Sequence, residues 1–127
     1  MSTLKLLTLF KTQILAFCDE LIEQFPEEVD FVILKIFIDG RVPIKTAIES
    51  FNNNINKDNN KLRGMIQIRN DNFFMKENPF TFMSSDKISR LSKIWNADNM
   101  DDDDREIIWK WIDSFVTIGD KYSKLNS

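Results

Sequence analysis

Six carboxylates crowd one short stretch of this chain: Asp98, Asp101, Asp102, Asp103, Asp104 and Glu106. Clusters of hard oxygen ligands are what calcium requires, so the spacing decides whether the run has that chemistry. A helix–loop–helix calcium loop needs oxygen ligands at positions 1, 3 and 5, glycine at 6 and glutamate at 12. Counting from Asp98 puts Met100 at 3, Asp103 at 6 and Trp109 at 12. Counting from Asn96 puts Met100 at 5, Asp101 at 6 and Ile107 at 12. Neither register supplies the ligands, and no metal is expected. The run reads instead as a helix start, with Asp101 or Asp102 capping exposed N–H groups and the other carboxylates facing the positive end of the helix.

The catalytic inventory is thin. There is no histidine, which removes the commonest general base and the imidazole ligand together. A lone Cys18 leaves no disulfide framework and no cysteine-based zinc site within one chain, and fits a reducing compartment. No Ser-x-x-Lys motif or glycine-rich phosphate loop occurs. Ser85-Asp86-Lys87 and Ser92-Lys93 read as a helix cap and a solvated face. No catalytic residue, cofactor or small-molecule substrate is therefore expected, and the chain reads as non-enzymatic.

Two groups of residues suggest binding. Lys61, Arg63, Arg69 and Lys76, with Lys57 and the nearby Phe73 and Phe74, form the only basic cluster. Basic side chains interleaved with aromatics suit single-stranded nucleic acid. Asp58, Asp71 and Glu77 dilute that cluster, and the net charge of −3 gives no long-range pull on nucleic acid or an anionic membrane. A helix-turn-helix spacing around Asp39-Gly40-Arg41-Val42 offers Lys45, Thr46, Glu49 and Asn52, an ordinary set for groove reading. The second group surrounds the tryptophans. With Ile107 at the origin of a helical wheel, Trp111, Phe115, Ile118 and Tyr122 fall within about 80° of it, whereas Trp109 and Val116 fall near 200° and 180°. Trp109 and Val116, with Phe80 and Phe82 as plugs in a neighbouring loop, form the candidate protein-contact surface, because exposed tryptophan is enriched at binding hot spots. The plainer reading, favoured because large aromatics are usually buried, packs Trp109 under the Phe80–Phe82 loop. A homo-oligomer is compatible with either reading.

The elements that must position these groups are helical. At 127 residues and 43% hydrophobic, the chain suits one domain with a single core. Leu7, Phe10, Ile14, Phe17, Leu21 and Phe25 follow the 3–4 spacing of a helix face, capped by Thr3, with Leu4, Leu15 and Ile22 as a second row. Pro26-Glu27-Glu28 opens a second helix through Phe31–Ile38, apolar nearly all round and read as a buried central helix. A third helix opens at Pro43 and dissolves into an Asn-rich linker, 56–60. A weaker fourth runs from Leu62 to about Phe74; 78–85 is a loop; and Ser85 caps a fifth helix with Ile88, Leu91, Ile94 and Trp95. The last helix spans about 102–123. No stretch reaches the roughly 20 apolar residues of a membrane span, and the N-terminus lacks the form of a signal peptide. The expectation is an all-α, compact single-domain bundle of about six helices over 1–127.

Several stretches resemble uncharacterised small proteins of nucleocytoplasmic large (giant) DNA viruses: Asp86-Lys87, Leu91, Ile94-Trp95, Asp103-Asp104 and Ile107 to Val116, with Phe25-Pro26-Glu27, Val42-Pro43-Ile44 and Arg69-Asn70-Asp71-Asn72-Phe73-Phe74. These are packing and capping motifs, and no catalytic residue is carried over. The resemblance implies a viral protein made in the host cytoplasm during infection, with the virion as a second location. A helical protein working through protein–protein contacts is the leading expectation; nucleic-acid binding through Lys61, Arg63, Arg69 and Lys76 is the alternative.

Overall fold

The computed structural model describes residues 2–75 and 92–126. Helix α1 spans Thr3–Gln24, capped by Ser2 rather than Thr3: the Ser2 hydroxyl accepts from the Lys5 N–H at 3.2 Å. Its buried side chains, Leu6, Phe10, Ile14, Cys18 and Leu21, step by three or four. The phase differs slightly from the expected row, with Leu6 and Cys18 inside and Leu7 and Phe17 half-buried. Phe25 ends the helix, as a residue before proline should.

Helix α2 spans Val29–Arg41, with Glu28 as its N-cap. Residues 26–27 form a turn, so Pro26 does not open this helix. Contacts Phe25–Phe31, Asp19–Lys35 and Lys11–Asp39 set α2 antiparallel to α1. The expected burial all round is not found. Phe31, Leu34 and Ile38 pack inward, whereas Val29, Val32, Ile33 and Ile36 are exposed. The composition of the run is right for a core helix, but α2 packs chiefly on α1, so only one face is covered.

Helix α3, Ile44–Gln67, follows Pro43 as N-cap. Its regularity fails at Lys57, Asp58, Asn59 and Asn60, and the last three have φ of 52°, 60° and 63°. Asp and Asn are the side-chain-bearing residues that tolerate this left-handed region best. The Asn-rich stretch expected as a linker is thus a left-handed turn joining two helical halves. Ala47, Ile48, Phe51 and Ile55 are buried before it, and Leu62, Met65 and Ile66 after it. The expected continuation to Phe74 is interrupted: residues 68–71 leave the helix, Arg69 has φ 55°, and α4 is the single turn Asn72–Met75. Residues 92–95 are helical and bury Ile94 and Trp95. The rest of the expected fifth helix, and the loop 78–85, lie outside the described residues.

Helix α5, Asp102–Leu125, begins with a capping box. The Asp104 N–H donates to Asp101 Oδ1 at 2.8 Å, and the Asp101 N–H donates to Asp104 Oδ2 at 3.3 Å. Two orphaned N–H groups of the first turn are thereby satisfied reciprocally. Asp102, Asp103 and Asp104 all lie in the first turn, where the helix dipole favours them.

The protein is all-α, with five bounded helices and the helical residues 92–95 among the described residues, against about six helices expected. Helices α1, α3 and α5 pack mutually, and α2 lies on the outside of α1. The α3–α5 approach is tight at Asn52, which is buried rather than displayed on a groove-reading face. Its amide donates to the Gly119 carbonyl at 3.0 Å and to Ser123 Oγ at 3.2 Å. A Cβ on residue 119 would land on Asn52 Oδ1, far inside contact distance. Gly119→Ala should therefore destabilise by about 1–3 kcal/mol, the usual range for overpacking, seen as a lower urea midpoint at unchanged slope. Asn52→Ala in the same chain should return part of that loss. An unchanged midpoint for Gly119→Ala would contradict the close approach.

Candidate interaction surface

Trp109, whose off-stripe position left burial under the 80–82 loop and exposure at a contact surface as the two readings, is only 3% accessible. Its ring lies 5.7 Å from Phe73 and 5.7 Å from Trp95, and the Arg69 guanidinium stands over it at 5.6 Å. Ile107, taken as the centre of the stripe, is exposed, whereas Ile108, Ile112, Phe115 and Gly119 are buried. The true centre of the buried arc is about 100° further round the wheel. Trp109 then falls on one flank of that arc, and Trp111 on the other. Trp111 is half-buried against Phe17 at 5.7 Å, and its indole N–H donates to Glu20 Oε2 at 2.6 Å. Val116 is half-buried against the core. The proposed surface of Trp109 and Val116 is therefore not formed as expected, and Phe80 and Phe82 lie outside the described residues.

The basic cluster has another role. Glu106, Asp113 and Asp120 recur every seven residues along α5, a spacing that drifts only about 20° per step. Arg63 grips Asp120 through two N–H groups, at 3.0 and 2.8 Å. The same guanidinium donates twice to Asn56 Oδ1, at 3.2 and 2.8 Å. It thereby ties together the residues on either side of the left-handed turn. Arg69 grips Asp113 in the same two-pronged way, at 2.9 and 2.7 Å, and reaches Glu106 at 3.3 Å. Hydrogen bonding to Asp120 and to Asp113, respectively, pushes both guanidinium pKa values further up. Lys61 is exposed, and Lys76 lies outside the described residues. Of the expected phosphate-binding set, the two arginines are committed to carboxylates of α5.

A third arginine clamps the segment before α5. Arg105 donates to the Trp95 carbonyl at 3.3 and 3.0 Å, pairs with Asp102 at 3.2 Å, and lies 5.7 Å over the Trp95 ring. Cation–ring contacts of this kind fix segments more than they recognise ligands when both partners are intramolecular.

What the sequence reading missed is the outer face of α2. Val29, Val32, Ile33 and Ile36 are 64%, 40%, 47% and 66% exposed. They fall within an arc of about 100°, opposite the face that packs on α1. The signal was available in the sequence, since a helix apolar all round needs neighbours on every side.

Cys18 is buried, and desolvation, with Asp19 adding to it, pushes its thiol up to about 11. Such a thiol is a poor nucleophile at neutral pH. Among the described residues, no group of three Cys, Asp or Glu side chains is placed to share a metal, and no helix is long and apolar enough to cross a membrane. Comparison with known proteins finds no matching family model, curated protein or solved structure.

Two outcomes follow from this geometry. Trp109→Ala should cost about 3–5 kcal/mol, as for other buried tryptophans, and Arg69→Ala about 1–2 kcal/mol, reflecting partly exposed ion pairs plus the ring contact; chemical denaturation measures both. If Trp109→Ala costs under about 1 kcal/mol, the packing described is wrong. The folded state keeps Cys18 protonated to about pH 11, whereas its unperturbed value is 9.0. Its contribution is therefore complete below pH 9 and is lost as pH rises from 9 to 11. Thiol titration should show slow modification in the folded protein at pH 8 and rapid modification in denaturant.

Proposed function

We propose that this chain is a non-enzymatic viral helical protein that acts through protein–protein contact, and that the outer face of α2 is its contact surface. The viral assignment rests on the resemblance of the stretches named above. The contact assignment rests on one observation: four large apolar side chains, Val29, Val32, Ile33 and Ile36, lie side by side in solvent on one helix face. Contiguous exposed apolar surface of this kind marks interaction sites more often than scattered apolar residues do. A role in the virion or as an adaptor for a viral or host partner fits that surface, with the host cytoplasm as the place of synthesis. Nucleic-acid binding is the weaker reading, since Arg63 and Arg69 already face Asp120, Asp113 and Glu106.

Affinity capture from infected cells, with the wild type and an Ile33→Glu, Ile36→Glu variant side by side, tests the proposal. The expected result is a partner retained by the wild type and lost by the variant, with both chains equally helical by circular dichroism. Identical capture profiles would sink the assignment of this face.

A further inference from the structure

We infer that the left-handed turn within α3 is a hinge, and that opening it lets two copies of this chain exchange the halves that follow it. The exchange involves α3 and α5 and is independent of the outer face of α2. Three consecutive residues of the turn, Asp58, Asn59 and Asn60, have φ/ψ of 52°/46°, 60°/43° and 63°/32°. This region is unfavourable for any residue with a Cβ, and Asp and Asn only lessen the cost. Helix continues on both sides of the turn, and no glycine or proline occurs from Ile44 to Arg63. Rotating these residues to right-handed values would relieve the strain and give one unbroken helix over 44–67.

A straight α3 cannot keep its present partners on its own chain. Asn52, before the turn, holds Gly119, and Arg63, after it, holds the adjacent Asp120. The chain thus travels eleven residues along α3 with almost no advance along α5. In an unbroken helix those two residues stand about 16 Å apart along the axis, too far for neighbouring positions of α5 to serve both.

The contacts of the fold divide at the same point. Phe25–Phe31 joins residues that both precede the turn, and Arg69–Asp113 and Phe73–Trp109 join residues that both follow it. These contacts travel with their own half. Phe10–Phe115, Trp111–Glu20 and Tyr122–Glu49 cross the turn. Straightening breaks the crossing set, and each lost partner is offered again by a second copy opened in the same way. Two open chains related by a two-fold axis restore the crossing core twice, with no complementarity beyond that of the monomer. Short connections under strain are the ones that favour such exchange.

The full chain and its Asn59→Ala and Asn59→Gly variants test the hinge. Each is held at about 1 mM in mild urea, so that the halves can separate, and returned to buffer before light scattering gives its mass. Alanine suits a right-handed helix and is strained at positive φ, whereas glycine has the opposite preferences. Each dimer straightens two hinges. A roughly tenfold shift per hinge for Asn59→Ala therefore becomes association about a hundredfold tighter. Asn59→Gly should weaken association by about tenfold. The mass should rise from 15.0 kDa toward twice that value in the order Asn59→Gly, wild type, Asn59→Ala. In dimers of differently isotope-labelled chains, the Phe10–Phe115 contact, 5.8 Å between ring centroids, should appear between chains by filtered NOE spectroscopy.

A mass of 15.0 kDa for Asn59→Ala throughout overturns the exchange. So does a dimer whose Phe10–Phe115 contact stays within one chain. If Asn59→Ala loses its helical circular dichroism, the wild type and Asn59→Gly decide. Equal masses for those two overturn the hinge, and a heavier wild type with the inter-chain contact supports it.

Discussion

Three phenylalanines, one from each long helix, meet at the centre of this protein. Phe10 of α1, Phe51 of α3 and Phe115 of α5 are each almost wholly buried, with ring centroids 5.8 to 6.4 Å apart and tilted or edge-on. Rings at these separations add about 0.5–1.5 kcal/mol per pair beyond the burial of their area. In proteins most helical stability comes from tertiary packing of an apolar face rather than from intrinsic propensity. The trio is where that packing couples three helices at once. Around it, Leu6, Ile48, Ile55 and Ile112 close the core, and the other contacts refine an arrangement that the aromatic centre makes possible.

The α3–α5 seam shows how polar groups define the edges of that arrangement. Asn52 and Gly119 let the two backbones approach closely, and Tyr122 donates to Glu49 at 2.9 Å beside them. Burial first, and then the bond to Glu49, raises the Tyr122 pKa. Further along, Arg63 spans the left-handed turn, and Arg69 holds the chain end of α3 over Trp109. Two-pronged arginine–carboxylate pairs carry geometric information that a single lysine contact lacks. Arg63 and Arg69 thus serve to place a turn and cover a tryptophan. Their charge is spent inside the fold.

Helix α2 stands apart from this economy. It adds Phe31, Leu34 and Ile38 to the α1 side of the core, yet its other face contributes nothing to the packing of the central three helices. A face released from folding constraints in this way is free to be selected for binding. Its apolar character carries a solubility cost that a structural role alone would not explain.

Much of the helical framework was legible in the sequence, because it depends on local chemistry. The carboxylates at 101–104 specify a helix start whatever lies around them, since capping needs only backbone N–H groups and a short acidic side chain. The break before Pro26 and the Asn-rich departure at 56–60 are equally local, arising from proline sterics and the tolerance of Asn and Asp for positive φ. The candidate site was not legible in the same way. Trp109 and Trp111 differ by two positions on one helix, and which of them is covered depends on residues 36 and 14 positions away, Phe73 and Trp95. Whether Arg63 and Arg69 meet phosphate or Asp120 and Asp113 depends on how α3 and α5 align. By itself the sequence determined where helices start, stop and carry apolar residues, because those preferences act within a few residues of chain. Only the tertiary structure decided which apolar faces find a neighbour, leaving α2 half uncovered, because burial belongs to the assembled helices and not to any one of them.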